Sequence, residues 1–292
     1  MDGTHISEQI EHTTARIEAF TNTNVAESGT GFFYQIALEG ESVLPLLVTN
    51  RHMLAGKARL EISLTHADGQ GNPKYGDHER YSLTDLQAAT IYHPDPQVDL
   101  AAIFVGGILN DMTAKGRPAY HKSLSNLFLP SEADIETFTS FEDVLMVGYP
   151  NGIWDSRNNL PIARRGQTAT PYARDYEGRK EFVIDAACFP GSSGSPIYLY
   201  NQGSYATRSG SIRLGGRFKL LGILYAGPVR AQHGVLAIVP IPTAHRTVAV
   251  SQSPIHLGFC IKSSQILALE PIAKAVAGLR SSQPAPQSNQ SA

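Results

Sequence analysis

Short apolar runs, each about the length of one strand, recur along the chain and constrain its fold more than any other feature. The first half contains GFFYQIAL (31–38), VLPLLVT (43–49), ARLEISL (58–64), ATIYH (89–93) and DLAAIFV (99–105). The second half contains DVLMVGY (143–149), EFVIDAAC (181–188), SPIYLY (195–200), KLLGILYA (219–226), GVLAIVPI (234–241) and HLGFCI (256–261). The chain also has 26 glycines and 18 prolines, a punctuation that favours many short strands over long helices. The sequence therefore predicts an all-β protein with about six strands in each half.

The segments that flank these runs complete the predicted organisation. Ile6, Ile10, Ile17 and Phe20 recur at helical spacing, which predicts a short amphipathic helix at the N-terminus. The polar, glycine-containing stretch 66–80 predicts a loop between strands. The predicted units are an N-terminal helical segment 1–24, a first β-barrel 25–120, a second β-barrel 121–262, a C-terminal helix 263–280 that bends at Pro271, and a disordered tail 281–292.

Composition excludes several classes of protein. Charged residues make up 17% of the chain, hydrophobic residues 42%, and the formal net charge is −2, which argues against a disordered chain and against a nucleic-acid partner. No apolar run reaches the roughly eighteen residues of a membrane span, so no membrane partner is expected. The two cysteines are too few for a disulfide scaffold, and the first residues lack the pattern of a secretory signal. We expect a cytoplasmic protein.

The segment Gly191-Ser192-Ser193-Gly194-Ser195-Pro196 lies between two predicted strands and carries the most chemistry. Glycines on both sides of Ser193 permit a tight turn that projects the hydroxyl group and aims backbone N–H groups at one point. In isolation, such a segment is more often a plain hairpin loop. No Lys-Ser/Thr pair follows it, as a phosphate loop requires, and Ser195 replaces the second glycine of a G-x-S-x-G elbow.

A serine hydroxyl needs a base, and the base needs a group that orients it. The chain offers His52 at the end of the apolar run in LLVTNRHML, and Asp99 at the start of DLAAIFV. Each residue alone is more often an ordinary loop or turn residue. The case for a site rests on the occurrence of all three together.

With these residues in the order His52, Asp99, Ser193, the chain resembles the trypsin/chymotrypsin-like serine peptidase superfamily. The matching patterns are S-G-T-G-F-F (28–33), V-T-N-R-H (48–52), D-L-A-A-I (99–103), G-x-S-G-S-P (191–196) and L-G-I-L-Y-A-G (221–227). H-L-G-F-C-I (256–261) is similar to the closing strand of HtrA-like bacterial peptidases. The resemblance implies two six-stranded antiparallel β-barrels, with short N- and C-terminal helices and a substrate cleft between the barrels.

The resemblance also implies a role for each matching residue. Ser193 would attack the scissile carbonyl, His52 would carry the proton, and Asp99 would orient the imidazole, while the N–H groups of Gly191 and Ser193 would form the oxyanion hole. The substrate would be a protein or peptide, with no metal and no organic cofactor. The primary substrate pocket would be lined by Ala187, Tyr225, Ala226 and Gly227.

Two features of this pocket bear on specificity. Ala187 stands at its mapped base, where an acidic residue would be needed for cleavage after Lys or Arg. His233 or His256 would favour an acidic side chain if either entered the pocket, although both are more often plain surface residues. Cys188 and Cys260 lie in apolar runs and are expected to be buried thiols.

One departure from the family concerns activation. Secreted zymogen-type members carry Asp before the nucleophile and pair it with a newly freed N-terminus, whereas this chain has Ser192. Activation by that ion pair is therefore not expected, which leaves room for a regulatory protein partner. Arg164, Arg165, Arg174 and Arg179 are expected to form a solvated hairpin face.

Two other functional classes stay open from the sequence. A catalytically silent or latent trypsin-like domain would act as a protein-interaction module. An esterase or amidase acting on small molecules would use the same three residues. A serine endopeptidase is favoured because an extended cleft between barrels suits a peptide.

Overall fold

The computed structural model describes residues 5–23, 26–235, 248–254 and 256–281. Elements of the N-terminal half are α1 (Ile6–Ile10), β1 (Thr14–Phe20), β2 (Ala26–Ala37), β3 (Val43–Thr49), β4 (Arg59–Ala67), β5 (Pro73–Leu83), α2 (Leu86–Ala89), β6 (Thr90–Tyr92), β7 (Ala101–Phe104), α3 (Gly106–Ala114) and β8 (Ala119–Tyr120). Those of the C-terminal half are α4 (Glu132–Thr137), β9 (Asp143–Gly148), β10 (Ile162–Thr168), β11 (Glu181–Asp185), β12 (Pro196–Asn201), β13 (Ser204–Ala206), β14 (Ile212–Leu214), β15 (Arg217–Ala226), β16 (Val229–Val235), β17 (Val248–Pro254), β18 (Leu257–Lys262) and α5 (Leu269–Ser281).

The C-terminal half contains a closed antiparallel barrel of six strands in the order β10-β11-β18-β15-β12-β9. Two separate hairpins, β13–β14 and β16–β17, are inserted into the connections between its strands. The all-β class, the terminal helices and this barrel confirm the sequence-based expectation.

The N-terminal half is one antiparallel sheet in the order β5-β4-β1-β2-β3-β7-β6, with β8 paired to β4. Its two edge strands, β5 and β6, are consecutive in the chain and are joined by residues 84–89, so the chain itself connects both edges of the sheet. Leu86 of α2 is buried in this connection, and it packs in the same apolar cluster as residues of β1, β2, β3, β4 and β7. With β8 included the sheet has eight strands, and its strand β1 precedes residue 25, where the first predicted barrel begins.

Another apolar cluster lies between the two halves. Phe32, Tyr34 and Leu46 of the first sheet are fully buried in one cluster with Tyr198 and Leu220 of the barrel. The C-terminal helix α5 closes this cluster, because its Leu269 and Ala273 are also fully buried there. Burial of apolar area at this interface fixes the two halves relative to each other.

The expected N-terminal helix is correct only over Ile6–Ile10 and is wrong beyond it, because Thr14–Phe20 is strand β1. Ala15, Ile17 and Ala19 alternate along β1 and face the core. This period of two explains Ile17 better than the helical spacing does.

The expected loop over 66–80 is also wrong in its second part, where β5 pairs with β4. Only residues 68–72 turn, and the Asp68 carboxylate accepts the N–H groups of Gln70 and Asn72 there. Every residue of β5 is at least partly exposed, so the strand has no buried face that would produce an apolar alternation.

At the C-terminus, residues 263–268 form a 3-10 helix that continues as α5. Pro271 lies in the first turn of α5, where a backbone N–H group has no intrahelical acceptor, so the helix accommodates the proline. The bend at Pro271 stays a prediction. The expected strand 234–241 beyond Val235 and the expected tail from residue 282 lie outside the described residues. Within the described ranges, no helix has the length and apolar character needed to cross a bilayer.

Replacement of Ile17 by Ala tests the strand assignment of β1. Ile17 is fully buried, so Ile17→Ala should lower the free energy of unfolding by about 2–5 kcal/mol. Ile212→Ala is the matched control, because Ile212 is 75% exposed and should change stability by less than about 0.5 kcal/mol. Denaturant unfolding of both variants measures the difference, and equal effects would contradict the buried face of β1.

Candidate active site

His52 is presented by a short turn that follows β3. The 3-10 turn Arg51–Met53 begins after Asn50, and Met53 and Leu54 are buried in the core of the first sheet. These two apolar side chains anchor the turn, while the His52 side chain stays 44% exposed. The local sequence thus places one polar ring on a rigid support.

Asp99 fixes the orientation of this ring. The Asp99 Oδ2 lies 2.6 Å from His52 Nδ1, and its Oδ1 accepts the His52 backbone N–H at 2.9 Å. Asn50 holds the Asp99 backbone, because its Nδ2 donates to the Asp99 carbonyl at 2.9 Å. A carboxylate beside Nδ1 places the ring proton of neutral His52 on that nitrogen and leaves Nε2 as the proton acceptor.

Ser193 lies in a tight turn with positive φ on both sides. Gly191 has a φ of 81° and Gly194 a φ of 83°, a region that glycine enters without strain. A side chain at Gly194 would also overlap the carbonyl oxygen of Thr30. Both glycines are therefore required by the shape of the turn.

The turn leaves two backbone N–H groups available. Ser192, Gly194 and Ser195 donate their N–H groups to carbonyl groups of the protein. Among the described residues, the N–H groups of Gly191 and Ser193 have no such acceptor. An oxyanion hole requires unbonded backbone donors of this kind.

The loop 150–152 orients the peptide that carries the Gly191 N–H. The Pro190 carbonyl accepts the N–H of Asn151 at 2.6 Å. In a trans peptide the carbonyl and the following N–H point in opposite directions, so this bond turns the Gly191 N–H away from the loop.

Thr30 of β2 connects the turn to the first sheet. Its N–H donates to the Ser193 carbonyl at 2.9 Å, and its own carbonyl accepts the Thr49 hydroxyl at 2.8 Å. The Thr30 hydroxyl accepts the Tyr149 N–H at 3.2 Å and lies 3.3 Å from Ser195 Oγ. Since Thr49 ends β3 just before the His52 turn, one network supports both His52 and Ser193.

The structure brings His52 and Asp99 into direct contact, but it does not join Ser193 to them by a hydrogen bond. Among the described residues, neither Ser193 Oγ nor His52 Nε2 has a hydrogen-bond partner. Such contacts are often long in a free enzyme and shorten when substrate binds.

The predicted pocket residues lie in two segments beside the Ser193 turn. The Leu224 carbonyl accepts the Gly194 N–H at 2.9 Å, which places Tyr225, Ala226 and Gly227 directly after a residue that contacts the turn. A side chain at Gly227 would lie 3.9 Å from Cys188 Cβ, so the 226–227 segment faces the segment of Ala187 and Cys188. The Tyr225 hydroxyl donates to Glu181 at 2.9 Å, so the position of this ring is fixed by a hydrogen bond within the protein.

Three further side chains discussed in the sequence analysis, His256, Cys188 and Cys260, have structural surroundings. His256 is exposed, has a φ of 61°, and its ring packs edge-on against Phe189. Cys188 and Cys260 are buried and unpaired, as expected, and burial raises the pKa of the Cys188 thiol to about 11. The neutral thiol is a poor nucleophile. The side chain of His233 lies outside the described part of the structure.

Sequence reasoning missed the roles of Thr30 and Asn50 and misread Arg164. Both polar residues stand inside motifs that were recognised, S-G-T-G and V-T-N-R-H, but a motif does not show hydrogen bonds between segments.

Arg165 is exposed as expected, whereas the assignment of Arg164 to a solvated face is wrong. Its Nη1 donates to the Ala187 carbonyl and, at 3.1 Å, to Ser192 Oγ. Alternating exposure along β10 separates the two arginines.

Thr30→Val tests the connection between sheet and turn. Thr30 is fully buried, and removing its hydroxyl leaves the Tyr149 N–H without an acceptor, so the free energy of unfolding should fall by about 1–3 kcal/mol. Thr23→Val, at an exposed threonine, should change it by less than about 0.5 kcal/mol. Urea titrations of both variants compare the two, and a stability of Thr30→Val equal to the wild type would refute a role for the hydroxyl.

Comparison with known proteins assigns the family. No curated protein sequence matches the chain significantly. Similar solved structures include the Rv3671c protease in an inactive form (17% identity, 91% of this chain and 91% of that chain, TM-score 0.44). A second is the HtrA-type protease AlgW with tripeptide (17% identity, 93% of this chain and 62% of that chain, TM-score 0.45). A third is the protease Anisep from Arthrobacter nicotinovorans (12% identity, 90% of this chain and 96% of that chain, TM-score 0.47). A family model described as a trypsin-like peptidase domain matches residues 29–205, more than half of the chain. The chain therefore belongs to the trypsin-like peptidase domain family.

Proposed function

We propose that this protein is a serine endopeptidase that hydrolyses peptide bonds of protein substrates through an acyl-enzyme. The observation that carries the proposal is the 2.6 Å contact between His52 Nδ1 and Asp99 Oδ2. It sets the tautomer of a partly exposed imidazole in the way that general-base catalysis requires. A purely structural histidine would not need a side chain that is 44% exposed.

The proposed reaction assigns one task to each group. Ser193 Oγ attacks the scissile carbonyl carbon while His52 Nε2 takes the hydroxyl proton, and Asp99 stabilises the resulting imidazolium. The N–H groups of Gly191 and Ser193 donate to the oxyanion of the tetrahedral intermediate. When the C–N bond breaks, His52 returns the proton to the leaving amine. Water then attacks the acyl-enzyme by the same steps and releases the acid.

The end of β15 supports a peptide as the substrate. A bulge between Leu224 and Ala226 leaves Tyr225 without a registered partner on β18, and the ladder has ended at Gly227. Backbone groups without a strand partner can pair with an extended peptide that is laid beside them. This geometry favours an endopeptidase over an esterase or amidase acting on small molecules.

A latent trypsin-like domain that serves as a protein-interaction module is the second candidate function. One observation favours it: within the part of the chain that the structure describes, no hydrogen bond joins Ser193 Oγ to the His52 ring. In that case a regulatory protein partner would complete the site. For either function we propose a cytoplasmic location, because the two cysteines are buried and unpaired.

Active-site labelling by a fluorophosphonate tests the nucleophile. We expect one covalent adduct, counted by the mass of the intact chain and located on Ser193 by peptide mapping. Ser193→Ala should carry no adduct. Asp99→Asn should lower kcat for a peptide substrate by about 10⁴-fold, because the imidazole then holds the wrong tautomer.

Asp95→Asn is the matched control for the Asp99 variant, since Asp95 lies in the same loop and its carboxylate accepts the Gln97 N–H instead of contacting His52. It should keep both labelling and kcat. A folded wild-type protein that takes no label and cleaves no peptide would contradict the endopeptidase and favour the latent domain.

Specificity for the residue before the scissile bond gives a separate test. The Arg164 guanidinium bonded to the Ala187 carbonyl places positive charge at the mapped base of the pocket. Peptides with lysine at this position should therefore show kcat/KM at least about tenfold below peptides with norleucine, a difference of about 1.4 kcal/mol. The two side chains have similar length, so competition between them isolates the charge. Preferred cleavage after lysine would contradict this pocket assignment.

A further inference from the structure

Arg164 is a buried cation beside the Ser193 turn, and the proposed reaction does not use it. It lies on β10, where residues alternate between half-buried and exposed positions, and it occupies a half-buried one. Its Nε and Nη2 atoms are buried and have no hydrogen-bond partner among the described residues. No carboxylate of the described chain forms an ion pair with it.

Such an arrangement is costly, because a buried guanidinium without a counter-charge loses hydration that nothing fully replaces. Burial lowers the pKa of Arg164, as expected for a cation in such surroundings. An apolar side chain at this position would avoid the cost. The role of Arg164 therefore depends on the hydrogen bonds that it does make.

These contacts join the two ends of the segment that precedes the nucleophile. One nitrogen, Nη1, donates to the Ala187 carbonyl and to Ser192 Oγ at 3.1 Å. Ser192 is itself fully buried, and its Oγ also accepts the Phe189 N–H at 3.4 Å. The segment 187–192 is thus closed over the guanidinium group.

We propose that Arg164 is a positioning residue that holds the oxyanion turn in its working shape, an inference that rests on the proposed peptidase function. By fixing Ser192 and Ala187, it fixes the peptide units between them, which include the one that carries the Gly191 N–H. The hydrogen bonds of Arg164 go to Ala187 and Ser192 and not to His52, Asp99 or Ser193, so it acts on the reaction through this turn.

The position of this cation has a consequence for regulation. The residue before the nucleophile is a neutral serine, and the positive group that binds it comes from a strand of the same barrel. The turn is therefore ordered in the uncleaved chain, and no proteolytic step is needed to supply a cation.

Arg164→Met tests the proposal, with Arg165→Met as the matched control on the exposed face of the same strand. We expect Arg164→Met to lower kcat about 10²-fold, in the range of a lost oxyanion donor, with KM within about threefold of wild type. Arg165→Met should leave both constants within about twofold of wild type. Arg164→Lys keeps the charge without the planar fork and should recover part of kcat. A residue needed only for folding would instead lower the active fraction and leave the kcat of that fraction unchanged, as active-site titration shows.

Ser192→Ala covers the case in which Arg164→Met does not fold. This variant removes only the hydroxyl acceptor and should lower kcat in the same direction. In the double variant Arg164→Lys/Ser192→Ala, the fold-loss of kcat should be smaller than the product of the two single fold-losses. Both changes remove the same contact, between Arg164 Nη1 and Ser192 Oγ. A purely multiplicative loss would overturn the proposed link between the two side chains.

Hydrogen exchange separates this inference from the peptidase function. Amides of the 187–196 segment should exchange at least about tenfold faster in Ser192→Ala and Arg164→Met than in Arg165→Met, whether or not the protein cleaves peptides. Faster exchange in a protein without peptidase activity would support the ordering role while refuting the function. An active wild type whose Arg164 and Arg165 variants match in kcat and in exchange would overturn the inference alone.

Discussion

The hydrogen bond from the Thr30 N–H to the Ser193 carbonyl, at 2.9 Å, is the constraint on which the rest of the site depends. His52 and Asp99 belong to the first sheet, whereas Ser193 belongs to a turn of the second barrel. Neither half can place all three groups by itself. A direct backbone bond between the halves, at the residue that carries the hydroxyl, removes the main freedom that would separate them.

This bond is effective because the surrounding interface is apolar and closely packed. Phe32 and Tyr34, which follow Thr30 on β2, are fully buried between the halves, and α5 covers the same cluster. The Tyr34 hydroxyl also donates to Glu270 of α5 at 3.2 Å. The C-terminal helix α5 therefore stabilises a strand that supports the Ser193 turn, although α5 lies outside the region matched by the family model.

The sequence predicted what depends on local pattern and failed where distant segments decide. Short apolar runs predicted β3, β7 and β12 because each of these strands has several buried residues. Strand β5 was not predicted because it has no buried face. Strand β1 was not predicted because Ile17 also fits a helical period. His52 and Asp99 were found through their motifs, and the structure places them in contact. Arg164 was misread because charge usually indicates solvent, and only the pairing of β10 with its neighbours shows which of two adjacent arginines points inward.

Unfavourable local features are concentrated around the Ser193 turn, and they share one explanation. Asn151 adopts a φ of 50°, where side chains are strained, and its N–H holds the Pro190 carbonyl. Arg164 keeps two buried nitrogen atoms, Nε and Nη2, without a hydrogen-bond partner in the described part of the chain while it holds Ser192. Each feature costs stability, on the order of 1–3 kcal/mol, and each fixes a peptide next to the Gly191 N–H. The turn has internal hydrogen bonds from the Ser192 N–H to the Phe189 carbonyl and from the Ser195 N–H to the Ser192 carbonyl, but these bonds do not hold the peptide that carries the Gly191 N–H. The orientation of that peptide is imposed from outside, by the loop at Asn151 on one side and the buried Arg164 cation on the other.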